Sequence, residues 1–481
     1  MSHQPARGRQ ARGFAMSARP PASPATSDPA ETGPMAVGTG PGGLPPVGPG
    51  GPRHRPSRGR GRGRRTGQLI GLLGTFVVLA IAAYYLLAPG GGDSSAPPNA
   101  VASAGAAALA TSKTTVPPAS KPDGVDVYAH TRAGMFSPQV AGDLSMVYVP
   151  NLRDGTVTVI DQRTLKVVGT FRTGSQPQHV VPSWDLKTLW VNNNAGNTLT
   201  PVDPRTAAPA GPSIPVEDPY NLYFTPDGKY AMVMAEALHR VDFRDPHTFR
   251  MIHSLDVGTM CNGVNHADFA PDGSYAIATC EFAGRLVKID LRTQSVVGYL
   301  DLGRQAAPQD IKSDPEGKLW YVADMNDDGL HLIDPDRFVK VGFLQTGPET
   351  HGLYPSRDGK YLYVANRGGA LMSRMEPFPH SGDHGSVSVV DFATHRVVAN
   401  WAIPGGGTPD MGNVSADGSR LWLSGRRSNV VYVFDTGMLG TTDQPANGHL
   451  LTEIPVGREP HGLAVWPLPG RYSLGHTGIL R

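Results

Sequence analysis

The sequence predicts an all-β fold: a seven-bladed β-propeller closed by the C-terminal strand, preceded by a disordered tail and one transmembrane helix. Three observations carry this. A unit of four short strands recurs through most of the chain, its third strand ending in Asp161, Asp203, Asp242, Asp290, Asp334, Asp391 and Asp435. A last strand, Pro460 to Val465, lacks partners of its own. Finally, Gln68 to Ala88 runs twenty-one residues without a charge.

The aspartates are spaced by 42, 39, 48, 44, 57 and 44 residues. Sequence self-similarity at a period in the forties marks units that bury a face only by packing on their neighbours. Within each unit a turn sits at Asp185, Asp227, Asp272, Glu316, Asp358 or Asp417, and all but the first are followed by Gly. Asp-Gly between alternating apolar runs is a strong hairpin signal, because the turn needs positive φ. Four short antiparallel strands per unit, repeated radially, protect the sheet edges and make a propeller blade. Seven aspartates predict seven blades. The first unit has a poor inner strand, so Pro460 to Val465 is expected to supply it and close the ring. The tryptophans at 184, 190, 320, 401, 422 and 466 fall on or beside strands and are expected to pack between blades.

The charge is divided along the chain. The formal sum is +2, yet residues 1–65 hold eleven Arg against only Asp28 and Glu31. The rest is acidic. Residues 1–66 are rich in Arg, Gly and Pro and lack the apolar side chains that offset ordering entropy, so they are expected to be disordered. Residues 67–88 are long enough for the roughly 30 Å apolar layer as a helix. The Arg-Gly run from Arg58 to Arg65 then places the N-terminus in the cytoplasm and the propeller outside the cell membrane. A cleaved signal peptide is the alternative, and the apolar run exceeds the usual length of one. Residues 89–125 read as a flexible linker, 126–470 as the propeller, and 471–481 as a C-terminal extension. The Arg-rich tail reads as a topology signal beside the membrane, and nucleic acid is not an expected partner.

The motifs Tyr148-Val149-Pro150-Asn151, Tyr321-Val322-Ala323-Asp324 and Tyr363-Val364-Ala365-Asn366, with Pro460-His461-Gly462, resemble the YVTN-repeat, YncE-like β-propellers. That family is distantly similar to the haem d1 domain of cytochrome cd1 nitrite reductase. The resemblance covers roughly residues 126 to 466 and implies the fold. It leaves function open, since propellers host many activities. The haem d1 likeness implies an axial histidine, for which His179, His266, His351 or His461 would serve.

Aligning the inner strands on their turns places Gln178-His179, Tyr220-Asn221, Asn265-His266, Gln309-Asp310, His351-Gly352, Asp410-Met411 and His461-Gly462 at one end of the central channel. The expected ligand-binding mouth is therefore His179, Asn221, His266, Asp310, His351, Asp410 and His461. Such a ring suits a metal, a haem edge or an anionic small molecule. The competing reading makes Pro-His-Gly a turn element bonded to backbone. In the sixth blade an insertion, Arg367 to Gly385, carries Met372, Met375, His380 and His384. Loops this long cap a channel, bind a ligand or are plain excursions, and thioether with imidazole also admits copper. Cys261 and Cys280 flank one hairpin and are expected to form a disulfide, with two inert thiols as the alternative.

No nucleophile elbow, P-loop, His-Glu-x-x-His or dinucleotide fingerprint occurs, and no cofactor is required. The sequence points to a membrane-anchored binding module for a small molecule or an envelope protein. An enzyme or a haem or metal carrier using the same histidines, and a structural envelope protein, are the two other readings.

Overall fold

The computed structural model describes residues 126–369, 385–437 and 445–470. The predicted tail, transmembrane span, linker and C-terminal extension lie outside them, as do Met372, Met375, His380 and His384. Among the described residues no helix is long and apolar enough to cross a membrane.

Seven antiparallel sheets follow one another along the chain, one per predicted unit. Six use consecutive strands, and in the remaining one Ala464–Trp466 pairs beside Met146–Asn151, followed by Thr156–Asp161 and Lys166–Arg172. The C-terminal strand thus supplies the inner edge of the first blade. Met146 pairs with Trp466 and Tyr148 with Ala464, and His461 N–H donates to the Pro150 carbonyl at 3.1 Å.

Burial falls outward along each blade. All six residues of the inner strands Pro177–Pro182, Pro219–Phe224, Val264–Phe269, Pro308–Ser313, Thr350–Pro355 and Pro409–Val414 are buried. Outer strands such as Lys166–Arg172 and Arg396–Ala402 alternate toward solvent. This gradient follows from radial packing, in which only the outermost strand has a water-facing side. Trp320, Trp401, Trp422 and Trp466 are fully buried in the packing between strands and blades, while Trp184 and Trp190 are partly buried against the cluster of the second and third blades.

The turns behave as their residues require. Gly228, Gly273, Gly317, Gly359 and Gly418 adopt φ between +70° and +81°. Where the first turn has Asp185-Leu186, Leu186 takes φ +60°. The third-strand aspartates cap the following turn: Asp161 accepts from Thr164 N–H at 2.7 Å and Asp391 from Thr394 N–H at 2.7 Å. The third blade corrects one expectation. Its capping residue is Asp245, which accepts from His247 and Thr248 N–H. Asp242 is instead buried between Arg240 and Arg244. Asp245 lies three residues beyond Asp242 and just past the strand end at Arg244, which also evens out the two irregular spacings. Cys261 and Cys280 form the predicted disulfide.

The turn-side end of the channel is crossed by the chain as it enters the propeller. Val127 N–H donates to the Pro271 carbonyl at 2.9 Å, and Tyr128 Oη donates to Asp268 at 2.7 Å. Both side chains join the largest apolar cluster. Arg357, buried, donates to the Thr131, Ser415 and Val414 carbonyls and ties the segment to the sixth and seventh blades.

Candidate functional site

The inner strands start at the opposite end, and two successive positions there have different fates. Gln178, Tyr220, Gln309, His351 and His461, each seven residues before its turn or the equivalent on the closing strand, line a cavity of about 350 Å³. The next residues, His179, Asn221, His266 and Asp310, are wholly buried beneath it.

The four histidines meet. Ring centroids of His179 and His461 lie 4.9 Å apart, His179 and His266 5.7 Å, His266 and His351 6.3 Å, and His351 and His461 6.1 Å. They come from the first, second, fourth and sixth blades, so most contacts skip a blade. Only side chains on the axis can do that. Burial holds the His179, His266 and His351 imidazoles well below their ordinary range and His461 down to about 4, so all four are neutral at neutral pH.

Glycine makes this crowding feasible. A Cβ on Gly462 would stand 1.8 Å from His179 Nδ1, and one on Gly352 2.6 Å from the Asp410 carbonyl. His-Gly is therefore a packing requirement at these two strands as well as a source of imidazoles.

Asp410 organises the upper half. Its carboxylate lies 2.6 Å from His461 Nδ1 and 3.2 Å from His351 Nδ1, and it accepts from Arg367 Nε at 2.8 Å and from Arg367 Nη2. Burial alone would raise this carboxyl, but Arg367, His461 and His351 outweigh it and hold it well below the carboxylate range. Arg426 Nη1 approaches both His461 Nδ1, at 2.8 Å, and Asp410, at 3.6 Å. An ionised carboxylate only accepts, so His461 Nδ1 carries the proton toward Asp410 and Arg426 serves the same carboxylate. His461 Nε2 then presents a lone pair, and this buried atom has no protein partner.

Asn221 and Asp310 serve the fold. Asn221 Nδ2 donates to Tyr223 Oη at 3.0 Å and contacts His266 Nδ1 at 3.4 Å. Asp310 accepts from Ile311 and Leu353 N–H and pairs with Lys312 at 3.3 Å.

A second ring sits around the mouth, and aligning inner strands alone misses it. It is formed by the residue after each second strand: Leu152, Asn194, Glu236, Glu281, Met325, Arg367 and Arg426. All but Asn194 line the cavity. Glu236 and Glu281 come from the third and fourth blades. Asn265 Nδ2 donates to Glu281 at 2.8 Å. Burial and then Glu281 push the Glu236 carboxyl up to about 8, and burial also raises Glu281. The sequence signal was the position after the second strand of each repeat, which follows Tyr-Val-x-Asn at Leu152 and Arg367.

The last residue of that motif is a structural pin. Asn151 Nδ2 donates to Thr156 and Thr158 Oγ1 at 3.0 and 2.9 Å, and Asn366 does likewise to Ser386 and Ser388. In the fifth blade Asp324 stands in its place and His331 Nε2 supplies the donor at 3.1 Å. With Asp327 these are the only described residues that bring three metal-type ligand atoms within 4.8 Å of one another. The channel histidines do not converge in this way. They meet edge-on or tilted, with centroids 4.9–6.3 Å apart.

The family model of the YncE-like β-propeller matches residues 107–470. The chain belongs to this family. Among solved structures, this YncE-like protein is similar to a functionally unknown protein from Desulfotomaculum acetoxidans, at 13% identity and TM-score 0.53, covering 67% of this chain and 98% of that one. It is also similar to a candidate 6-phosphogluconolactonase from Bacteroides uniformis, at 16% identity and TM-score 0.51, covering 66% and 98%. The dihydro-haem d1 dehydrogenase NirN matches at 13% identity and TM-score 0.46, covering 72% and 82%. At these identities the likeness is one of fold. No curated protein matches.

Proposed function

We propose that this YncE-like chain is a membrane-anchored extracytoplasmic binding protein that takes a small polar molecule in the well at the strand-start end of its propeller. One observation carries the reading. His461 lines the well, and its buried Nε2 has no protein partner, the ring being fixed in direction by the bond from Nδ1 to Asp410. Leaving such an atom unmatched costs about 1–3 kcal/mol, which a bound N–H or O–H donor removes. The cavity of about 350 Å³ suits a small ligand, at the lower end of the ~300–1,000 Å³ common for such sites. Catalysis has less support, because the four imidazoles are packed against one another and three carry bonds or contacts that hold them in place.

The anchor in this proposal is the uncharged stretch of residues 67–88, with the Arg-rich residues 1–66 in the cytoplasm and residues 89–125 as spacer. Protease added to intact cells is expected to remove the propeller and spare the Arg-rich tail; loss of the tail alone would reverse the topology.

Binding is tested on the full chain in detergent by thermal unfolding against a library of small polar metabolites. A ligand at about 100 times its Kd adds about 2.7 kcal/mol and raises Tm. The shift is expected to disappear in His351→Ala/His461→Ala. A hit unaffected by that double variant, or no hit at all, removes the well as the site.

A further inference from the structure

We infer that the ligand of this well is a small zwitterion of the amino-acid or short-peptide kind, its ammonium on Glu236 and Glu281 and its carboxylate on Arg367 and Arg426. This rests on the ligand-binding reading above and names its chemistry.

The rim is polarised. Both acids come from the adjacent third and fourth blades, and both guanidinium groups from the adjacent sixth and seventh. Met325 separates the two arcs on one side, and Leu152 and Asn194 separate them on the other. No ion pair within 4.0 Å joins an acid of one arc to an arginine of the other among the described residues, although all four line one cavity. Each arc therefore keeps a charge that the opposite arc does not neutralise by contact.

Of the other charged groups on the cavity, Arg153 and Glu459 pair with each other at 3.0 Å, and Arg427 stands beside Arg426 in the basic arc. Asp410 offsets one of the two guanidinium groups from below, and it bonds to Arg367 through Nε and Nη2. A site whose charges are split in space is poorly matched by a simple anion or a simple cation, which would leave one arc bare. A zwitterion answers both arcs and adds no net charge. Arg426 turns only Nη1 to Asp410 and His461 and keeps its other N–H groups for a carboxylate, with the Arg367 charge beside it, while the two glutamates offer acceptors to an ammonium. A short peptide also brings an amide N–H for His461 Nε2.

The test uses the full chain and three probes: trialanine, N-acetyl-trialanine and trialanine amide, measured by titration calorimetry. Trialanine is expected to bind, with each cap weakening binding at least tenfold. Glu281→Gln is expected to erase the penalty of the N-acetyl cap and keep that of the amide. Arg426→Gln should do the reverse, and Arg426→Lys should keep a preference for the free carboxylate. Both glutamine variants retain the shape of the parent side chain, and their thermal unfolding is checked alongside.

Equal affinity for the three peptides, or cap penalties that ignore both variants, would overturn the inference. So would the absence of trialanine binding. If a singly charged library compound binds in a manner lost in His351→Ala/His461→Ala while trialanine does not, the zwitterion assignment falls and the ligand-binding reading stands. No hit from any source removes both.

Discussion

Asp410 and His461 lie 2.6 Å apart at the top of the channel, one from the seventh blade and one from the strand that closes the first. Their contact ties ring closure to the chemistry of the well, because the carboxylate that fixes the imidazole also holds Arg367 and Arg426.

Asp410→Asn is expected to destabilise the propeller by about 3–5 kcal/mol, since it leaves the buried Arg367 guanidinium without its counter-charge. Urea unfolding checks this. Arg367→Met introduced together with Asp410→Asn should recover part of the loss, and an unchanged midpoint in the single variant would show that the pair carries little weight.

Acid should unfold the protein ahead of ordinary carboxylate titration. Folded His461 ionises near 4 against an ordinary 6.5, so between those values the unfolded chain binds a proton that the folded one does not. Stability is whole above 6.5 and is lost as pH falls through that window, by about 3 kcal/mol for His461 alone. His179, His266 and His351 act in the same direction. Asp410, held low, contributes stability above 3.8 that disappears below it. Glu236 works against these: raised to about 8, it favours the folded state at lower pH and weakens it as pH rises from 4.5. Unfolding free energy from urea titrations between pH 4 and 7 should fall on acidification, more steeply in Glu236→Gln. A flat profile would mean that the imidazoles are not neutral when folded.

Gly462→Ala is expected to cost more than 3 kcal/mol or prevent folding, because the new methyl would occupy the place of His179 Nδ1. Gly298→Ala, with nothing within 4 Å of its added Cβ, should change stability by less than about 0.5 kcal/mol. Similar unfolding midpoints for the two would show that the strands can separate to make room.

Truncation before Glu459 removes the strand Ala464–Trp466 together with the bridges at Pro460 and Gly462, so the first blade loses its inner strand. Cooperative unfolding should be abolished. A sharp transition in the truncated chain would mean that six blades and an open sheet suffice.

The fold was legible because its determinants are local. The turns, most of them Asp-Gly, and the aspartates near the ends of the third strands recur from unit to unit, and Pro460 to Val465 stood out as a strand without partners. Asp242 misled for a local reason too: an acid inside the strand imitates one that caps the turn. The histidines could be aligned from the turns, yet their depth could not be read. One residue of offset separates His351 and His461, which line the well, from His179 and His266, which are packed beneath it. Glu236, Glu281, Arg367 and Arg426 were hidden because each is unremarkable in its own repeat. Their meaning lies in the comparison between blades: two adjacent acids facing two adjacent bases.

The segment that crosses the turn-side end has a mechanical consequence. Tyr128 is anchored to Asp268 and Val127 to Pro271, both on the fourth blade, while Arg357 grips the carbonyl of Thr131 from the sixth. Tension arriving along the chain ahead of Asp126 is therefore taken up by contacts to several blades at once, spread over the end of the barrel remote from the well. The first blade, whose inner strand is borrowed from the far end of the chain, is shielded from that load, and the propeller can be pulled upon without being unzipped.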